Sequence, residues 1–153
     1  MNPPARYRMI TPNLTISEPL SDKSVRFLHD EGFRKVITLS GGFVSSEIVP
    51  VLKDYKMEVQ HFPIDLRAPD AIKCDQITKV VAHLRSLLEK ESKVHVVCGP
   101  EMIEAACIVG LTRVCHQHWN LSSALCEALE ISRFVDAEVV TSTILNHDLF
   151  DRK

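Results

Sequence analysis

Short apolar runs alternating with amphipathic helical stripes narrow the folds open to this chain more than any other feature. Val36-Ile-Thr-Leu39 and Lys93-Val-His-Val-Val97 read as buried strands, and Asn13 to Ser17, bounded by Pro12 and Pro19, reads as a third. Glu58 to Ile64 is extended. Between these runs the spacing predicts helices. Ser21 or Asp22 can cap one that runs to Glu31, with Val25, Leu28 and His29 on one side and Gly32 closing it. A second covers Ser46 to Tyr55, with Pro50 inside it. The strongest stripe, Ile77, Val80, Val81, Leu84, Leu87 and Leu88, lies in a helix over Asp75 to Glu91. A long apolar helix follows from Glu101 to His118, and two more start at Leu121 and near Asp136. Strand–helix alternation of this kind gives an α/β fold with a mainly parallel central sheet flanked by helices, the last three covering one side. Without repeats, linkers or composition shifts, residues 1–153 read as a single domain.

Composition excludes several classes. With 45% hydrophobic and 25% charged residues the chain is neither disordered nor low-complexity. Eighteen basic against twenty acidic residues leave a net charge of −2, which makes no electrostatic case for a nucleic-acid or membrane-surface partner. The N-terminal Met1-Asn-Pro-Pro-Ala-Arg-Tyr-Arg-Met-Ile10 lacks the apolar core of a secretory leader, and no stretch approaches the roughly 18 apolar residues of a membrane span. Five cysteines, an odd number set mostly in apolar segments, suit free thiols in a reducing compartment, so the expected location is cytoplasmic. No cofactor motif and no metal site is expected.

Chemistry in an open α/β sheet gathers where a central strand ends and a helix begins. The best such junction here is Val94-His-Val-Val-Cys98-Gly-Pro-Glu-Met-Ile-Glu104. A thiol at a helix N-terminus ordinarily has a lowered pKa, because oriented N–H groups favour the thiolate.

This junction and its surroundings resemble the cysteine-dependent protein tyrosine phosphatase superfamily, in the form of small atypical dual-specificity and bacterial tyrosine-phosphatase-like enzymes. The resemblance runs through Ile10-Thr-Pro-Asn-Leu-Thr-Ile-Ser17, Glu31-Gly-Phe-Arg-Lys-Val-Ile-Thr-Leu39, His61-Phe-Pro-Ile-Asp65, residues 93–113 and Trp119-Asn-Leu-Ser-Ser123. It implies a loop His-Cys-x-x-Gly-x-x-Arg-Ser/Thr in which the cysteine attacks, backbone N–H groups cradle the phosphoryl oxygens and the arginine grips two of them. In this chain the loop is Val97-Cys98-Gly99-Pro100-Glu101-Met102-Ile103-Glu104-Ala105. Cys98 stands at the nucleophile's place. Val97 replaces the His, Glu101 the Gly, Glu104 the Arg and Ala105 the hydroxyl residue. At about 4 Å and an effective dielectric near 20 a unit pair is worth roughly 4 kcal/mol, so exchanging Arg for Glu disfavours even a monoanionic phosphate by roughly 8 kcal/mol before screening. The same carboxylates oppose ionisation of Cys98. Asp65 matches the family's general acid and, like Cys98, is catalytic only if activity survives; Arg67 reads as solvated surface.

The resemblance therefore implies a pseudophosphatase, a non-enzyme whose acidic loop at Glu101 and Glu104 takes a protein partner or a cationic group such as an Arg or Lys side chain. Three alternatives stay open: a thiol-dependent or acid/base enzyme on a non-phosphate substrate, with Glu101 and Glu104 on one helix face; a residual tyrosine or dual-specificity phosphatase using Cys98; and an assembly subunit forming oligomers. Cys107-Ile-Val-Gly110-Leu-Thr-Arg113 also satisfies Cys-x-x-Gly-x-x-Arg, but it sits in helix-compatible sequence where the N–H groups already have partners, so Cys107 reads as a buried helical thiol. Cys115-His116-Gln-His118 reads as a helix end, Ser40-Gly41-Gly42 as a turn after a strand, and His95 as a packed histidine.

Overall fold

The computed structural model describes residues 3–39 and 45–151, the side chains of 148–151 excepted, so the turn expected at Ser40-Gly41-Gly42 lies outside the described residues. Its strands are β1 (Arg8–Thr11), β2 (Leu14–Ser17), β3 (Lys35–Leu39), β4 (Glu58–Phe62) and β5 (Val94–Val97). Its helices are α1 (Asp22–Asp30), α2 (Ile48–Asp54), α3 (Asp70–Glu89), α4 (Ile103–Cys115), α5 (Leu121–Ile131) and α6 (Ala137–Asp151). The strands form one sheet in the order β1-β2-β5-β3-β4. β1 is antiparallel to β2, and every other pairing is parallel. This is the expected mainly parallel α/β architecture, with β5 at its centre.

Alternation along β5 divides the core. Val94 and Val96 face a large cluster built with α3, α4, α5 and α6, while Val97 faces a smaller one containing Val25, Leu28, Phe33, Ile48 and Leu52 from the α1–α2 side. Both faces of the central strand are thus covered, which is why it is apolar but for the hydrogen-bonded His95. The three C-terminal helices pack on one another and on the face that Val94 and Val96 share.

Element ends follow local chemistry. Ser21 caps α1 by accepting from the Ser24 N–H, and the Ser24 hydroxyl accepts from the Ser21 N–H. At the other end Gly32 adopts φ +93° while Phe33 N–H donates to Leu28 O and Gly32 N–H to His29 O. These are the two bonds of a Schellman ending, which needs a residue free to turn left-handed. Pro50 falls in the first turn of α2, where its missing N–H costs no helical bond. The helix expected from Asp75 begins instead at Asp70, after Pro69; its first turn carries the exposed Ile72, so no apolar stripe announces it. The extended run expected to reach Ile64 is paired only to Phe62, and β1, a strand the sequence pattern does not predict, pairs with β2.

His95, on β5, is fully buried and packed, as expected. Ser17 Oγ donates to Glu18 O at 2.8 Å, so the ring Nε2–H must donate to Ser17 Oγ at 2.7 Å and Nδ1 accept from Thr15 Oγ1 at 2.7 Å. Burial pulls its pKa down from 6.5 to about 3. A depressed base stabilises the fold fully above its unfolded value and loses that contribution as pH falls through the folded one. His95 alone therefore removes stability at roughly 1 kcal/mol per pH unit between pH 6.5 and about 3. The expected result is a urea midpoint that drops from pH 6.5 towards pH 4, with a flatter profile in His95→Gln; an equally steep profile in the variant refutes the assignment.

Candidate functional site

β5 delivers Cys98 to the carboxyl end of the sheet, where Cys98 N–H extends the ladder by donating to Ser17 O at 3.0 Å. The chain then turns tightly, Met102 N–H donating to Gly99 O at 2.9 Å. Met102 closes the turn in the left-handed region, at φ 59° and ψ 23°, and α4 starts at Ile103. The helix expected from Glu101 thus begins two residues later and ends at Cys115 rather than His118, because a left-handed residue cannot continue a right-handed helix. Glu101 lies in the turn, exposed, and only Glu104 occupies the helix's first turn. The two carboxylates therefore do not share a helix face, which removes the geometric basis for an acid/base pair.

Cys98 is fully buried. Its Sγ–H donates to Glu104 Oε1 at 3.2 Å. Backbone N–H groups of Gly99 and Ala105 point at the sulfur and favour the thiolate. They are outweighed. Burial, and then the Glu104 charge, push the thiol up from 9.0 to about 12. The helix-terminus effect anticipated for this cysteine is present but loses to desolvation. Glu104, half-buried in the first turn of α4, accepts the thiol's hydrogen bond and holds that proton in place.

Asp65 lies beyond the end of β4 and Cys98 beyond the end of β5, at the same end of the parallel strands with β3 between them. Asp65 is exposed, and its Oδ1 accepts from Arg67 N–H at 2.9 Å while its own N–H donates to Gln76 Oε1 at 2.8 Å. Its carboxylate shapes the turn into α3. Arg67 is exposed, as expected of solvated surface.

The second Cys-x-x-Gly-x-x-Arg lies wholly inside α4. Cys107 is buried, and burial raises its pKa to about 12. At Gly110 a Cβ would come 2.6 Å from Ile144 Cδ1 of α6, so this glycine serves helix contact. Arg113 is turned inward, the Nε–Nη2 edge of its guanidinium on both Glu127 oxygens. His116 caps α4 in the segment Cys115-His116-Gln-His118. Among the described residues no group of three or more His, Cys, Asp or Glu side chains could hold a metal ion.

One contact had no signal in the sequence. Arg6, at φ 53°, donates through Nη1 to Pro100 O of the loop and through Nη2 to Ile131 O at 2.8 Å, tying the N-terminal segment and α5 to the turn after Cys98. Two bonds from one guanidinium to two main-chain carbonyls leave no pattern among side chains.

The five-stranded sheet, the order of its helices and the strand–turn–α4 junction give this chain the fold of the cysteine-dependent protein tyrosine phosphatase superfamily, in its small atypical form. Among solved structures it is similar to the core catalytic domain of the PP-IP phosphatase SIW14 from S. cerevisiae in complex with citrate, at TM-score 0.77 and 15% identity over 93% of this chain and 85% of that one. It is also similar to Tk-PTP in its active form (TM-score 0.72, 15% identity, 94% of this chain and 96% of that one). A third likeness is to P. aeruginosa TpbA (TM-score 0.62, 18% identity, 92% and 91%). The sequence itself matches no family model and no curated protein. No helix among the described residues is long and apolar enough to cross a membrane.

Proposed function

We propose that this chain is a catalytically silent phosphatase-fold domain, a pseudophosphatase, that works by recognition. One observation carries the reading: the thiol at the nucleophile's position is buried and its proton is held by Glu104 at 3.2 Å. A nucleophile must reach its thiolate, and a pKa of about 12 leaves almost none at neutral pH. The same burial weighs against a thiol-dependent enzyme and against residual phosphatase chemistry at Cys98. Val97 is buried against the α1–α2 cluster, so no imidazole borders the cysteine from that position. Exposed Glu101 and half-buried Glu104 make the loop a surface for a basic side chain from a protein partner rather than for an anion. The five free cysteines fit a reducing, cytoplasmic setting.

A fluorogenic assay with phosphotyrosine and phosphoinositide mimics tests this reading. The expected outcome is turnover no greater than that of Cys98→Ser. Turnover that Cys98→Ser abolishes refutes it.

A further inference from the structure

Beside the loop, on the side that Arg6 clamps, lies a second concavity of about 340 Å³, within the size range of small-ligand sites. Its charged lining is Arg6, Arg8, Arg133 and Glu130, three guanidiniums against one carboxylate, a local excess of +2. Nothing in the overall net charge of −2 foretells it. The Arg6 guanidinium is oriented by the carbonyls of Pro100 and Ile131, which fix it without cancelling its charge. Arg8 meets Glu130 only at 3.6 Å, with both side chains well exposed. Among the described residues Arg133 has no carboxylate within ion-pair distance. Its apolar wall is chiefly the half-buried Tyr7 ring, with the buried Ile16, Met102 and Ile131 behind it.

The backbone supports a clamp. Arg6 and Arg133 both sit in the left-handed region, at φ 53° and 54°, as do Phe134 and Asp136, at 62° and 47°. None is glycine, and conformations of this kind persist where surrounding structure imposes them, often at ligand clamps. Ser132 and Ile131 are buried just before Arg133, so the turn that presents this guanidinium is anchored to the core.

We infer that this cavity binds a small dianionic oxyanion, a phosphate monoester or a dicarboxylate, through Arg6, Arg8 and Arg133. Guanidinium forks match both groups in geometry, and the apolar wall favours an anion carried on an apolar body over a bare ion. The site is separate from Cys98 and Glu104, and its occupancy does not depend on whether Cys98 is reactive.

Calorimetric titration of the full chain at low salt with inorganic phosphate, phenyl phosphate and succinate tests the inference. Saturable binding of phenyl phosphate or succinate is expected, with phenyl phosphate tighter than inorganic phosphate. Arg133→Gln and Arg8→Gln, both partly exposed and checked for an unchanged melting temperature, are each expected to weaken it about tenfold. Glu130→Gln, which removes the competing carboxylate, is expected to tighten it severalfold, and Glu104→Gln to leave it unchanged. Preference between phenyl phosphate and succinate assigns the oxyanion. The inference is overturned if no probe binds saturably at millimolar concentration, or if binding survives both arginine variants intact. It is equally overturned if Glu104→Gln rather than the Arg variants controls binding, because the anion would then sit in the loop.

Discussion

Replacing Arg113 with alanine is expected to cost about 3–5 kcal/mol of folding stability, enough to bring a domain of ordinary stability to the edge of unfolding. Arg113 is 8% exposed and lies at the crossing of α4, α5 and β1. Its Nε and Nη2 donate to the two Glu127 oxygens at 2.8 and 2.9 Å, Nη1 to Gln117 Oε1 at 2.6 Å and Nη2 to Ile10 O at 3.0 Å. The guanidinium carbon stacks 4.0 Å over the Trp119 ring. Alanine leaves Glu127, only 14% exposed, as a buried charge without its partner, and desolvation of that carboxylate supplies most of the loss. Urea denaturation measures it. Arg113→Met combined with Glu127→Leu removes both charges and is expected to recover most of the deficit, since a matched apolar pair is often as stable as a buried ion pair. A loss below about 1 kcal/mol in Arg113→Ala places the pair with surface salt bridges and refutes the argument.

Arg113 also shows what a sequence can disclose and what it hides. Cys107-x-x-Gly110-x-x-Arg113 carries the literal spacing of a phosphate loop, yet the absence of a preceding strand was enough to reject it, and the structure gives each residue a packing role instead. Parallel strands and long helices were legible because β5 is a short apolar run buried on both faces and α3 repeats its helical stripe cleanly. Helix starts were not, because they depend on single backbone angles. Met102 turning left-handed moved α4 by two residues and separated Glu101 from Glu104, and an exposed Ile72 concealed the first turn of α3. That residue 104 is a carboxylate, where the resemblance implies an arginine, was visible as a difference of charge. That Glu104 would bend onto Cys98 and hold its proton was not, because contact between residues six apart across a loop depends on the turn's geometry. The arginine-lined cavity draws on residues 6–8, 102 and 130–133, brought together by tertiary packing alone.

At neutral pH, Cys98 is expected to react with iodoacetamide about three orders of magnitude more slowly than an unperturbed thiol. A rise from 9.0 to about 12 removes that much thiolate even before burial blocks access. Cys126, exposed, provides the fast internal reference, and all five cysteines should label at comparable rates once the chain is unfolded. A folded-state profile with no inflection below about pH 10 agrees with the raised value, whereas an apparent pKa below about 7 contradicts the proposed silence of the loop. Two substitutions separate the causes. Burial is the largest of them, so Glu104→Gln, which removes only the repulsive charge and its hydrogen bond, should leave Cys98 slow. Glu104→Arg combined with Glu101→Gly also supplies an opposite charge and frees the turn, and should lower the Cys98 pKa by about 1–3 units. The N–H groups of Gly99 and Ala105 already point at the sulfur. If the double variant becomes reactive and Glu104→Gln does not, removing the repulsive charge is not enough and an opposite charge is needed to offset burial of the thiolate; if both stay inert, burial alone suffices to keep the thiol protonated.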